Sequence, residues 1–119
     1  IKFTHNIMII KLKKNIIYLD QFKLKCSVGK GGIKKKNKEG DNITPKGLFK
    51  IEHLYYRSDR INNFKSKLKS KVIKKNMGWC NDSNSNYYNR LIKITKNTKN
   101  SYEKLHRVDH KYDFMIPIS

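Results

Sequence analysis

The sequence predicts a mainly β domain with one or two short helices. Apolar residues and lysines alternate along residues 22–28, with the period of a strand that has one buried face. Short apolar runs elsewhere are separated by Gly, Pro, Asn and Asp, which end strands and form turns. The 119 residues suit a single domain. No run approaches the ~20 apolar residues that span a bilayer, and no signal peptide is visible.

The first predicted element is a β-hairpin. Two apolar runs, 8–12 and 15–20, flank Lys13-Lys14, which we expect at the turn. We expect Met8 to be the native start. Residues 1–7 are therefore expected to be an upstream or non-native extension.

The next element is a strand over residues 22–28. Its alternation predicts that Phe22, Leu24 and Cys26 face the core, with Cys26 as a small buried hydrophobe. Cys26 and Cys80 are too far apart in sequence for a CxxC motif. Pairing in an oxidising compartment and persistence as buried thiols both stay open.

A turn that leads into a strand follows at residues 39–51. Gly40 supplies a position with positive φ at low cost. Pro45 fixes its own φ and pushes Thr44 toward extended geometry. Residues 48–51 then predict a short buried strand.

Two short helices are predicted in the second half of the chain. Ile61, Phe64 and Leu68 fall at helical spacing within a Lys-rich stretch. Asn100 and Glu103 have the spacing of an N-cap and its capping-box partner. The apolar residues of 91–94 and 112–118 predict further strands.

A cluster of Tyr56, Arg57 and Arg60 directly follows residues 48–51 and their predicted strand. Guanidinium and phenol groups together suit the binding of a carboxylate, so these three residues are a candidate substrate-binding rim. An ordinary ion-paired loop that includes Asp59 is the equal alternative.

The net charge of +19 suggests polyanion binding. However, only four of the 28 basic residues are Arg, the residue that specific nucleic-acid readers favour. Alanine is absent and Ile, Asn, Lys and Tyr are abundant, as expected from an AT-rich genome. A solvated Lys-rich surface is favoured, and no specific nucleic-acid partner is predicted.

Cys80 is the candidate for thiol chemistry on residue type alone. It could form a nucleophilic dyad with His106 or His110, although it follows a bulky Trp rather than small residues. The same three side chains could bind zinc, but a fourth ligand is not evident. Both alternatives are weak.

Several segments, in order, resemble one branch of the bacterial L,D-transpeptidase (YkuD-like) catalytic domain. The central segment reads Gly-Asp-x-x-Thr-Pro-x-Gly-x-Phe-x-Ile at residues 40–51. The other similar segments are 26–33, 56–60, 78–82, 88–90, 101–109 and Tyr112-Asp113. His106 departs from the pattern, because the branch usually has an aromatic there. The resemblance covers most of Met8 to Asp113.

The resemblance implies a β-sandwich or open-barrel-like domain that cross-links peptidoglycan, with residues 8–119 as its N-terminal part. A family cysteine attacks the carbonyl of a stem-peptide diamino acid, and an amine of a neighbouring stem resolves the thioester. The resemblance implies no cofactor or metal, peptidoglycan stem peptides as partners, and the envelope or periplasm as the location.

The family's catalytic His and its Ser/Thr-x-Gly-Cys nucleophile follow the Tyr-Asp strand. No Ser/Thr-x-Gly-Cys occurs in this sequence. No catalytic residue is therefore assigned here, and we expect both downstream of Ser119, which makes the domain C-terminally incomplete and this chain inactive alone. The alternative is a non-catalytic basic module that binds an anionic envelope polymer or nucleic acid.

Overall fold

A computed structural model of the protein describes residues 9–36 and 38–119. The chain divides into two compact units, Ile1–Gly47 and Leu48–Ser119. The mainly β prediction is confirmed. The sheets do not close into a barrel, and no helix occurs among the described residues. Met8 and the expected extension 1–7 lie outside those residues.

Five strands occur among the described residues of the first unit, 9–36 and 38–47. An antiparallel meander comprises β1 (Lys11–Lys13), β2 (Ile16–Leu19) and β3 (Phe22–Lys25). The short strands β4 (Ile33–Lys34) and β5 (Thr44–Pro45) pair in parallel.

The predicted hairpin is confirmed as the β1–β2 pair, but its turn lies at Lys14-Asn15 rather than at Lys13-Lys14, because Lys13 belongs to β1 and lies opposite Ile16. Lys14 takes a φ of 55° in its turn, a conformation that is uncommon outside glycine. Asp20 similarly has a φ of 51° in the turn between β2 and β3. Both reversals therefore use the left-handed region that tight hairpin turns require.

The expected burial of β3 is wrong. The register places Phe22, Leu24, Leu12 and Ile17 on one face of the meander, so the alternation is real. However, Phe22 and Leu24 are exposed, and Cys26 is only half-buried. The pattern identified an apolar face correctly, but alternation cannot show whether a second layer covers it.

The turn at residues 39–51 begins as predicted, with Gly40 at a φ of 79°. The Thr44 hydroxyl accepts a hydrogen bond of 2.7 Å from the Gly29 amide. A Cβ at Gly29 would lie 2.2 Å from the Asn42 carbonyl oxygen, so this approach requires glycine. Gly29 and Thr44 thus hold the two Gly-containing segments of the first unit together.

The predicted buried strand at 48–51 is wrong. Leu48 is 97% exposed, and only Ile51 forms an isolated antiparallel bridge, to Ile118. Lys50 and Ser119 exchange backbone hydrogen bonds of 2.7 and 3.1 Å beside that bridge. The unit boundary passes between Gly47 and Leu48, so the run begins the second unit, and its residues 48–50 belong to no strand there.

The second unit contains two three-stranded sheets, with orders β10-β8-β9 and β11-β6-β7. Within these two sheets, only the β6–β7 pair is parallel. The strands are β6 (His53–Tyr56), β7 (Lys69–Val72), β8 (Met77–Cys80), β9 (Leu91–Lys93), β10 (Tyr102–Lys104) and β11 (Phe114–Met115). The predicted strands at 91–94 and 112–118 correspond to β9 and β11.

The core of this unit is small. Tyr55, Ile73 and Leu105 form its buried centre. Partly buried side chains pack against it, namely Met77, Trp79, Leu91, Tyr112 and Met115. Because these residues come from β6, β8, β9 and β11 and from adjoining loops, the centre links both sheets of the unit.

The helix expected from Ile61, Phe64 and Leu68 is absent. Asn63 has a φ of 56°, which a right-handed helix does not accommodate. The Phe64 ring instead packs edge-on against Tyr56 and Phe114, at centroid distances of 4.6 and 5.5 Å. Aromatic packing, rather than an amphipathic helix, therefore explains the apolar residue at 64.

The helix start expected at Asn100 is also wrong. Tyr102–Lys104 is instead β10, which pairs antiparallel with β8. Ser101 donates its hydroxyl to the Asn81 side-chain oxygen at 2.8 Å. The strand partner supplies the hydrogen bonds that a first helical turn would have made, so tertiary pairing overrides the local capping preference.

No helix in the described part of the chain is long and apolar enough to cross a bilayer.

We predict that Leu105→Ala lowers the free energy of unfolding by about 2–5 kcal/mol, because it opens a cavity in a small core. Leu105 is 1% exposed, whereas Val108, three residues along, is 96% exposed. Val108→Ala is therefore the matched control, with an expected change within about 0.5 kcal/mol. Urea denaturation of both variants measures the difference, and equal effects would contradict the assigned core.

Candidate functional site

The predicted rim lies in a network of three arginines and three aspartates, which we call the arginine clamp. Its members are Arg57, Arg60, Arg107, Asp59, Asp109 and Asp113. The clamp joins the loop after β6 to the loop between β10 and β11.

Arg57 is the buried centre of the clamp, with 4% of its surface exposed. Its Nε and Nη2 donate to the two carboxylate oxygens of Asp59, at 2.8 and 2.7 Å. Its Nη1 donates to the Arg107 carbonyl oxygen at 2.6 Å. All three guanidinium nitrogens are thus engaged, as a buried charge requires.

The Arg60 side chain binds backbone carbonyls of the loop between β10 and β11. Its Nη1 donates to the Asp109 carbonyl at 2.6 Å and to Asp113 Oδ1 at 2.9 Å. Its Nη2 donates to the carbonyls of Val108 and Arg107, at 2.7 and 3.1 Å. One planar side chain therefore shapes the path of residues 107–113.

Tyr56 contributes packing. It lies at the end of β6, between Phe114 of β11 and Val72 of β7, and its ring meets Phe64. The structure thus shows the predicted residues together in an ion-paired loop. Direct contact of Tyr56, Arg57 and Arg60 with a substrate anion stays a prediction, and it requires an exchange of the arginine contacts described above.

A repeated spacing could have identified the clamp from sequence. Arg57-Ser58-Asp59 and Arg107-Val108-Asp109 share the pattern Arg-x-Asp, and each forms a bidentate pair. Asp113, which the sequence analysis did not assign to a site, accepts from Arg60 and contacts His110 Nδ1 at 2.8 Å.

The clamp shifts the acidity of its carboxyl groups. The hydrogen bonds from Arg57 lower the pKa of Asp59 from 3.8 to about 2. Those from Arg107 lower the pKa of Asp109 from 3.8 to about 2. The pKa of Asp113 is lowered as well, first by His110 and then by Arg60. All three carboxylates are therefore ionised at neutral pH.

Cys80 does not meet the requirements of a nucleophile in this chain. It is fully buried in β8, with 0% of its surface exposed. Its amide donates to the Arg90 carbonyl at 2.9 Å, and its carbonyl accepts from the Asn89 amide at 2.8 Å. A thiol enclosed in this way cannot reach a substrate carbonyl. Both Cys80 and Cys26 are free thiols.

The two histidines considered as partners of Cys80, His106 and His110, lie in the clamp region. Burial, together with the Arg57 charge, lowers the pKa of His106. His110 is exposed and pairs with Asp113. Among residues 9–36 and 38–119, no three His, Cys, Asp or Glu side chains are grouped as metal ligands. The zinc alternative from Cys80, His106 and His110 therefore gains no support.

The Gly-Asp-x-x-Thr-Pro segment lies in the first unit, where Asp41 organises the turn. Its Oδ1 accepts from Lys36 Nζ at 2.7 Å and from the Ile43 amide at 3.1 Å. Its Oδ2 accepts from the Lys38 amide at 3.2 Å. The Asp of the motif thus has a structural role, which residue type alone did not reveal.

No family model matches the chain, and neither a curated protein nor a solved structure matches it. The proposed function therefore depends on the sequence segments that follow the same order as in the resembled branch, and on the contacts between those segments.

We predict that stability falls as the pH is lowered from about 4 to 2. The native carboxyls of Asp59 and Asp109 stay ionised there, while the unfolded chain takes up protons, so unfolding binds up to about one extra proton per group. Asp59→Asn should flatten this dependence and destabilise the protein at neutral pH. Melting temperatures across this pH range measure both effects.

The matched control is Asp20→Asn, because Asp20 makes no ion pair within the described part of the chain. An acid dependence that Asp59→Asn and Asp20→Asn reduce equally would contradict the clamp assignment.

Proposed function

We propose that this chain is the part of an L,D-transpeptidase catalytic domain that precedes the catalytic His and Cys. The longer protein cross-links peptidoglycan by acyl transfer on the envelope side of the membrane. The first support is the resemblance, which extends over six segments and the Tyr-Asp pair. The second is a set of contacts that joins four of these segments.

Those contacts are the observation that carries the proposal. Segment 56–60 contacts segment 101–109 through the hydrogen bond from Arg57 to the Arg107 carbonyl. The Trp79 indole donates to the Asn89 side-chain oxygen at 2.9 Å, which links 78–82 to 88–90. Strand β8 pairs with β10, so 78–82 also lies beside 101–109. Residues that are similar to family signatures, though distant in sequence, thus form one structural unit.

The proposed reaction has two steps. A cysteine thiolate forms a bond to a stem-peptide carbonyl carbon, the bond to the terminal D-residue breaks, and the departing amine takes a proton. An amine of a neighbouring stem then attacks the thioester, which forms the new amide and releases the thiol. Neither Cys26 nor Cys80 has the Ser/Thr-x-Gly approach of the family's nucleophile.

We predict that the 119-residue chain forms no thioester with tetrapeptide stems. Loss of a nucleophile removes factors of about 10⁶ in rate, so residual binding cannot mask it. Mass spectrometry of the chain incubated with stems checks this. Iodoacetamide should label half-buried Cys26 before buried Cys80 in the native protein, and both equally in denaturant.

A second experiment extends the protein along the reading frame past the Ser119 codon. We expect it to encode a His and a Ser/Thr-x-Gly-Cys, and we expect the longer product to form the thioester on that cysteine. An adduct on Cys80 of the short chain, or a longer frame without the motif, would contradict the proposal.

A second function is favoured by one surface of the first unit, which we call the lysine face. The register of the meander puts Lys11, Lys13, Lys23 and Lys25 on one side of the sheet, around Tyr18 and Ile16. Within residues 9–36 and 38–119, none of these four lysines has an ion pair. Four unneutralised charges on one face suit a linear polyanion.

The lysine face favours an anionic polymer without bases. Single-stranded nucleic acid is held largely by bases stacked on exposed aromatic rings. Tyr18 is the aromatic residue of this face, and Lys23 Nζ lies over its ring, 5.8 Å from the centroid. The face therefore offers charge rather than a stacking platform.

We predict that replacing Lys11, Lys13, Lys23 and Lys25 by Gln weakens polyphosphate binding about tenfold or more at about 50 mM salt. The matched control replaces the exposed residues Lys65, Lys67, Lys74 and Lys96, which removes the same formal charge. Fluorescence anisotropy with labelled polyphosphate measures both variants. Equal losses would show that only net charge matters, and tighter binding of single-stranded DNA would favour nucleic acid instead.

A further inference from the structure

A concave pocket of about 250 Å³ lies in the second unit, away from the arginine clamp. Its apolar wall comprises Tyr55, Trp79 and Leu91. Tyr55 belongs to the buried core, and the other two side chains pack against that core. The wall is therefore a rigid part of the fold rather than a loop.

Trp79 is held in a single orientation. Its indole N–H donates to Asn89 Oδ1 at 2.9 Å, and its backbone lies between Leu91 of β9 and Glu103 of β10. The ring is only half-buried, so part of it remains open to the pocket. A fixed, partly open indole suits an apolar or ring-shaped group of a ligand.

Three basic side chains line the same pocket: Lys50, His53 and Arg90. In the described part of the chain, none of the three side chains makes a hydrogen bond or ion pair, whereas the clamp arginines Arg57, Arg60 and Arg107 are all paired. Glu52 contributes an acidic side chain to the pocket, and Ser119 also lines it.

The backbone fixes the position of Arg90. Its carbonyl accepts the Cys80 amide at 2.9 Å, and the neighbouring Asn89 donates its amide to the Cys80 carbonyl at 2.8 Å. The backbone of Arg90 is thus anchored beside β8, while its exposed guanidinium, which has no partner among the described residues, is available to a ligand. The planar donors of a guanidinium match the two oxygens of a carboxylate or phosphate.

We infer that this pocket binds a small oxyanion that carries an apolar or ring-shaped group. The oxyanion pairs with Arg90 and is assisted by His53 and Lys50, while the apolar group packs on Trp79. The volume lies just below the ~300–1,000 Å³ typical of drug-sized ligands, so the ligand has the size of an acylated amino acid. The inference does not depend on the proposed transpeptidase function.

Trp79 makes a direct test possible, because it is the only Trp in the sequence. Three probes with the same aliphatic group are titrated against its intrinsic fluorescence: N-acetyl-leucine, isopentyl phosphate and the neutral N-acetyl-leucinamide. We expect a saturable change with at least one anionic probe, and binding of the amide weaker by about tenfold. The tighter of the two anions identifies carboxylate or phosphate as the natural chemistry.

Arg90→Gln should weaken the anionic probe about tenfold and leave the amide unchanged, because only a charge-assisted contact is lost. Lys96→Gln is the matched control, since Lys96 is exposed, lies outside the pocket and carries the same charge. Melting temperatures confirm that both variants fold. Equal affinity for amide and acid, no saturable response, or equal effects of the two variants would each overturn the inference.

Discussion

The second unit depends on the burial of one positive charge. Arg57 lies almost entirely out of water, and such a charge is tolerated only when its donors are satisfied. Asp59 supplies a bidentate carboxylate, and the Arg107 carbonyl supplies the third acceptor. This requirement draws residues 107–113 against the end of β6, where Arg60 then secures them. The loop conformation thus follows from the charge rather than from apolar packing.

Each of the two units is stabilised internally in a different way. The second has a small apolar centre at Tyr55, Ile73 and Leu105. The first relies on a meander and on backbone approaches such as Gly29 to Asn42, and its apolar face is exposed at Phe22 and Leu24. A lysine face on one side and an exposed apolar face on the other leave this meander with little burial to stabilise it, so its stability depends on strand pairing and turn geometry.

The burial of Cys80 is consistent with the expectation from the resemblance, which gives this cysteine no catalytic role. Cys80 is enclosed by its own strand neighbours, which suits a structural thiol and not an attacking one. The segments around it, 78–82 and 88–90, instead contribute Trp79, Asn89 and Arg90 to the lining of the pocket. A stretch that residue type alone recommends for catalysis thus serves to position an indole and a guanidinium.

The sequence by itself determined the β class, the first hairpin to within one residue of its turn, and the positive φ of Gly40, because alternation and turn chemistry are local properties. It also brought Tyr56, Arg57 and Arg60 to notice, since they are adjacent. Only the tertiary structure decided that Tyr102 starts a strand, that Leu48 is exposed, and that Arg57 is buried. Each of these depends on a partner distant in the chain, such as β8 for Tyr102 or the Arg107 carbonyl for Arg57, and a local pattern carries no information about such partners.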